Sequence, residues 1–115
     1  MSKYGARRTW YAGQWWDSAG EAGYAHRLAL QQAAGQIHAW RRGGEWVLLD
    51  APRRGDRITL RPDFEVWPTP DRLECHDFKG VVTREFSLKA RLWKAVYPTV
   101  PLVVVRADGS EHRAA

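Results

Sequence analysis

The spacing of apolar positions changes several times along the chain, and each change marks an element. Thr9-Trp10-Tyr11 and Gln14-Trp15-Trp16 are strand-forming triplets around Ala12-Gly13, a pattern that predicts a short hairpin. Asp17-Ser18 then opens a helix reaching about Ala34. Ser18 and Glu21 are spaced as a capping box, and Gly35 stands where a helix C-terminus favours a left-handed residue. Glu21, Ala25, Leu28 and Gln32 recur at helical spacing, so Glu21 shares the face that packs. Strands are predicted at Trp46–Leu49, Ile58–Trp67 and Leu73–Phe78. Pro68-Thr69-Pro70-Asp71 is a turn signal that pairs the last two as an antiparallel hairpin. A second helix covers Thr83 to Tyr97, with Leu88, Leu92, Trp93 and Val96 as its apolar stripe and Pro98 as its stop. Val100–Val105 is rich in β-branched residues and reads as a strand buried on both faces. Arg106 to Ala115 are mostly small and polar and are expected to fray as a flexible tail.

The order hairpin–helix–three strands–helix–strand predicts an α/β fold, a mixed sheet flanked by two helices. The strand–helix–strand passage from 73 to 105 calls for a parallel pairing with a right-handed crossover. A chain of 115 residues accommodates one domain, 1–115. No apolar run reaches the ~18 residues of a membrane span. The polar, basic start Met1-Ser2-Lys3-Tyr4-Gly5 lacks a signal peptide's apolar stretch, so a cytoplasmic location is the default expectation. Cys75 is the sole cysteine, which rules out an internal disulfide and a four-thiolate zinc site.

The net charge of +5 is carried largely by arginine, in the pairs Arg7-Arg8, Arg41-Arg42 and Arg53-Arg54. Excess positive charge favours a polyanionic partner, and guanidinium forks suit phosphate oxygens. Seven tryptophans could stack on bases, but most are expected to fill the core.

The candidate chemistry lies in Arg61-Pro62-Asp63-Phe64 and His76-Asp77-Phe78-Lys79-Gly80. Adjacent antiparallel strands can bring Asp63 and Asp77 side by side. Lys79 follows Asp77 at the period-two spacing that keeps both on one face. Two carboxylates offer hard oxygen ligands to magnesium, with the Phe78 carbonyl as a further oxygen. Such a metal acidifies water and offsets charge on a phosphorus centre, while the Lys79 ammonium orients the water or stabilises the transition state. An ordinary surface ion pair is the plainer explanation of the same residues. Glu21, on the packing face of the first helix, could join the acids or simply complete its cap. Asp71 is set aside as a turn residue.

These residues resemble a known pattern. Lys3-Tyr4-Gly5, Trp16-Asp17-Ser18 leading to Glu21, Arg61-Pro62-Asp63-Phe64, Asp77-Phe78-Lys79-Gly80, Phe86-Ser87-Leu88-Lys89 and Tyr97-Pro98 occur in this order over nearly the whole chain. They resemble small phage-encoded endonucleases of the PD-(D/E)xK superfamily, a group long classed as a domain of unknown function and compared with Holliday-junction resolvases. The resemblance implies a restriction-endonuclease-like core and magnesium as cofactor, with manganese substituting. It implies a DNA substrate, branched DNA by the resolvase comparison, and action in the host cytoplasm. It assigns Asp63 and Asp77 as metal ligands, Lys79 as the catalytic lysine, and Glu21 as the helix acid near the metal. Symmetric resolution of a junction would call for a homodimer. No organic cofactor and no membrane partner are implied. The chain departs from that pattern in being rich in Arg and Trp and in a longer loop from Ala51 to Asp56, features that bear on substrate preference.

Tyr4, Arg7 and Arg8, with Arg41, Arg42, Arg53 and Arg54 in loops and Lys89 on the second helix, are the expected DNA contacts. His26, His38, His76 and His112 lack metal-ligand spacing, and His76 should face away from the acids. Cys75, on the acids' face, is expected to be a buried small apolar residue. Ser18 has no histidine partner, and no glycine-rich phosphate loop is present. Two readings compete with a nuclease: a non-catalytic nucleic-acid-binding module, and a degenerate nuclease fold with a structural or regulatory phage role.

Overall fold

The computed structural model describes residues 7–115. The chain opens with the expected hairpin, β1 (Thr9–Tyr11) paired with β2 (Gln14–Trp16). Ala12 and Gly13 both take positive φ, 52° and 80°, as a tight turn matched to strand twist requires. Helix α1 (Ala19–Ala33) follows, capped by the Ser18 hydroxyl, which accepts from the Glu21 amide at 3.0 Å. Gly35 takes the left-handed conformation just past its end.

The rest of the chain adds β3 (Ala39–Arg42), β4 (Trp46–Leu49), β5 (Ile58–Leu60), β6 (Phe64–Thr69), β7 (Arg72–Phe78), α2 (Arg84–Val96), β8 (Leu102–Val105) and β9 (Glu111–Arg113). Five strands form one mixed sheet in the order β3-β6-β7-β8-β9. β6 and β7 are antiparallel, and β7 and β8 are parallel across α2, as anticipated. β4 and β5 pair only with each other.

The sheet separates two apolar clusters. On one face, Tyr24, Ala25 and Leu28 of α1 and Trp16 pack on Phe64, Val66 and Val105. On the other, Phe86, Ala90 and Trp93 of α2, with Leu48 and Leu60 of the β4–β5 hairpin, pack on Cys75, Leu102 and Val104. All of β8 is buried, as a strand covered on both faces should be. The architecture is the expected α/β arrangement, a mixed sheet flanked by two helices.

Four expectations are corrected. On α2, Leu88 and Val96 of the expected stripe are exposed, because the helix packs through Phe86, Ala90 and Trp93, which carry two large rings into the core. Ile58–Trp67 is two strands belonging to different sheets, because Arg61-Pro62 redirects the chain and proline cannot donate to a ladder. Arg41 and Arg42 are not in a loop: they lie in β3, an edge strand whose exposed charged residues mask its strand character. Residues 106–115 do not fray. A turn with Gly109 at φ 86°, braced by Asp108 accepting from the Ser110 amide and hydroxyl, returns the chain as β9 along β8. Asp108-Gly109 carried that hairpin signal, but β9 itself is fully exposed and polar, so no apolar alternation marked it.

Candidate metal centre and cavity

Phe64 lies opposite His76 in the β6–β7 ladder, which puts Asp63, one residue before β6, opposite Asp77. Both aspartates alternate with residues of the α1 face, so both project toward the α2 face, on the same side as Cys75. Backbone bonds lock the pair reciprocally. The Asp63 amide donates to Asp77 Oδ1 at 3.2 Å, and the Phe78 amide donates to Asp63 Oδ2 at 2.8 Å. Asp77 is only 3% exposed. Lys79 Nζ lies 3.1 Å from Asp77 Oδ2 and 4.5 Å from the centre of the Phe86 ring.

Electrostatics record the crowding. Burial pushes the Asp63 carboxyl up to about 10, reinforced by the Asp77 carboxylate beside it and by Glu21, and opposed only in part by the Phe78 amide. Glu21 is itself 8% exposed, so α1 delivers a third buried acid to this locality. Gly20 permits the approach: a Cβ there would stand 2.3 Å from the Phe78 ring.

A cavity of about 740 Å³ lies beside Glu21 and Lys79, the partner of Asp77, while neither Asp63 nor Asp77 lines it. Glu21, Phe78 and Lys79 line it, as do Arg7 and first-turn or capping residues of both helices, Ser18 to Gly20 and Thr83 with Glu85. Its charged lining is mixed: Arg7 and Lys79 stand against Asp17, Glu21 and Glu85. Among the described residues, no group of three His, Cys, Asp or Glu side chains is arranged as a ready metal-ligand set. What converges is a pair of aspartates, a lysine and a neighbouring glutamate.

The other predicted contacts are dispersed. Arg7 reaches the cavity, and Arg8 lies over the Trp15 ring. Arg42 fastens the hairpin, donating to Gln14 and to the Trp15 carbonyl while stacking 4.0 Å over Trp16. Arg54 faces Glu45, Arg53 is exposed beside the short 3₁₀ turn, and Lys89 pairs with Glu85 one turn back along α2. Tyr4 lies outside the described residues.

Arg41 pairs with Glu65, a residue that sequence reasoning missed. Glu65 is 2% exposed and accepts from Arg41, the Gly44 amide and the Trp46 indole. Burial pushes its carboxyl up, but these donors outweigh that and hold it below its ordinary value. The available signal was its place two residues from Asp63 on the same strand face; its partner strand β3 was not foreseen. His76 faces away from the acids, as expected. Its ring nitrogens meet the Tyr24 hydroxyl at 2.6 Å and Glu74 at 2.9 Å. Cys75 is fully buried and burial raises its thiol, as for a small apolar residue of the core. Asp71 is a turn residue, accepting from Thr69.

A family model described as "Protein of unknown function (DUF1064)" matches residues 1–110. No curated protein and no solved structure matches the chain. No helix among the described residues is long and apolar enough to cross a membrane.

Proposed function

The chain belongs to the DUF1064 family, and from its site we propose that it is a metal-dependent endonuclease hydrolysing DNA phosphodiester bonds, branched DNA among its substrates. The observation that carries this reading is the convergence of Asp63 and Asp77 on one sheet face, with Lys79 against Asp77 at the wall of a cavity. All three lie in β7 or at the ends of the β6–β7 pair, Asp63 just before β6 and Lys79 just after β7.

The donor set fits a hard divalent cation. Asp63, Asp77 and Glu21 offer only oxygen ligands, and a divalent cation could take the place of the proton that crowding holds on Asp63. Asp63 and Asp77 would hold magnesium or manganese, with Glu21 and the Phe78 carbonyl near it. When bound, the metal would acidify a water and offset charge at phosphorus. The chain's own groups do the rest. The Phe78 and Asp63 amides fix the two carboxylates so that neither must reorganise. Lys79 Nζ, wedged between Asp77 and the Phe86 ring, can donate to a water or a phosphoryl oxygen entering the cavity. Arg7 and Lys79 are the cavity's cationic groups for a phosphate.

The test is incubation with supercoiled, linear and four-way-junction DNA, with and without magnesium. Cutting should require the metal. Asp77→Asn should bind DNA without cutting it, and Lys79→Ala should lose about a hundredfold or more in rate. Cutting without metal, or cutting retained by Asp77→Asn, would overturn the proposal. Binding by the native chain with no cutting would favour a non-catalytic DNA-binding module instead.

A further inference from the structure

The β1–β2 hairpin carries a feature that the metal centre does not use. Trp10 and Trp15 are directly opposed across the two strands and meet edge to face, 5.3 Å between ring centres. They are 58% and 50% exposed, whereas Trp16, on the other side of the same hairpin, is buried. The hairpin therefore seats one face in the core and turns two indoles to solvent. Arg8 lies 5.2 Å from the Trp15 ring centre, so the platform is both aromatic and cationic. It is also braced. Arg42 clamps Gln14, the Trp15 carbonyl and the Trp16 ring, and the Tyr11 hydroxyl meets His26 of α1 at 2.8 Å.

Its position ties it to the cavity. Arg7, next to Arg8, lines the cavity, and so do Asp17 and Ser18, which follow β2 immediately. Consecutive Cα atoms are about 3.8 Å apart, so the platform stands within a few residues' reach of the cavity rim. A cross-strand indole pair would by itself help so short a hairpin to form. That role explains neither the guanidinium over the ring nor the short reach along the chain to a cavity lined by Arg7 and Lys79.

Resting on the nuclease reading, we infer that Trp10, Trp15 and Arg8 form a stacking platform for unpaired bases of a DNA strand whose backbone runs toward the cavity. An exposed π-face accepts any base, and the adjacent guanidinium meets the phosphate. The substrate class is then DNA with single-stranded character next to the scissile bond, such as a flap, a fork or an open junction.

The experiment is fluorescence anisotropy in calcium buffer, which allows binding to be read without relying on cleavage. The probes are labelled oligothymidylate, an abasic strand of the same length and charge, a blunt duplex, and oligouridylate. The native chain should prefer oligothymidylate to the abasic strand. Trp10→Thr with Trp15→Val, both strand-forming replacements, should remove that preference, about a five- to hundredfold loss, and leave abasic binding unchanged. Trp15→Phe should retain most of it. Circular dichroism verifies that the hairpin variants fold. Equal native affinity for the base-bearing and abasic strands would overturn the platform. So would a loss of both affinities together in a folded variant, a preference for the uridylate strand, or a change in the variant confined to self-association. None of these outcomes depends on cutting, so failure of the nuclease reading is scored separately, by magnesium-dependent cleavage.

Discussion

Asp63 shows how a single side chain can be held at a cost to the fold. Its carboxyl is buried beside Asp77 and near Glu21, and its folded pKa is raised to about 10. A group that binds its proton more tightly when folded stabilises the fold at low pH. That contribution is lost progressively as pH rises from the unfolded carboxyl's value toward about 10. In chelator, melting temperature should therefore fall as pH is raised across the neutral and mildly alkaline range. Asp63→Asn removes the titration. An amide oxygen can still accept from Phe78, and its NH₂ can donate to Asp77 where the proton stood. The variant should melt higher than the native chain at pH 8 in chelator, by roughly 4–8 °C for each 1 kcal/mol. Magnesium should raise the native chain's melting temperature and leave the variant nearly unmoved. A native melting temperature independent of pH, or a variant less stable in chelator at pH 8, would refute this account. At this scale the acid pair was legible in the sequence, because Pro62-Asp63 and Asp77-x-Lys79 flank one turn and strand period aligns their faces. Glu65 was not, because its meaning depends on Arg41, Gly44 and Trp46, which lie far away in sequence.

Elements position that pair through a close backbone crossing. Gly43, just past the end of β3, donates to the Asp63 carbonyl at 3.0 Å, and a Cβ on it would stand 1.8 Å from the Pro62 carbonyl oxygen. Backbone cannot swing aside as a side chain can, so Gly43→Ala must displace either β3 or the Arg61–Asp63 segment. Overpacking of this kind costs about 1–3 kcal/mol. On the nuclease proposal, cleavage should fall as well, since Asp63 moves with the segment. Gly55→Ala is the control: nothing lies within 4 Å of a Cβ there, and stability should change by less than about 0.5 kcal/mol. Chemical denaturation of both variants decides the matter, and equal stabilities would show that the crossing does not constrain the site. The helices and the β6–β7 hairpin were readable because caps and turn residues mark their ends, but the packing face of α2 was misplaced: Phe86, Ala90 and Trp93 are buried, while Leu88 and Val96 are exposed. β3 was not readable, because an edge strand with two exposed arginines lacks the alternation that marks a half-buried one.

At the scale of the whole molecule, the sheet is a partition between two cores, and β9 completes its edge. The β9 hairpin also reaches both faces. Arg27 of α1 pairs with Glu111 at 2.7 Å and donates to the Gly109 carbonyl, while Ala114 and Ala115 pack against the α2-side core. The Leu102 amide donates to the Ala115 carbonyl at 3.0 Å. Removing residues 107–115 would strip the outer ladder from β8, whose own residues are all buried, and remove one of the ties of α1 to the sheet, the Arg27–Glu111 pair. Each lost ladder bond contributes about 0.5–1.5 kcal/mol. With several lost together, the melting temperature should drop by roughly 10 °C or more. Because α1 carries Glu21 and the Ser18 cap to the cavity, the nuclease proposal further expects the truncated chain to cut more slowly than its residual folded fraction predicts. An unchanged melting temperature would mean that these residues are a dispensable tail. The present packing argues against that, since the segment touches the sheet, one helix and one core at the same time.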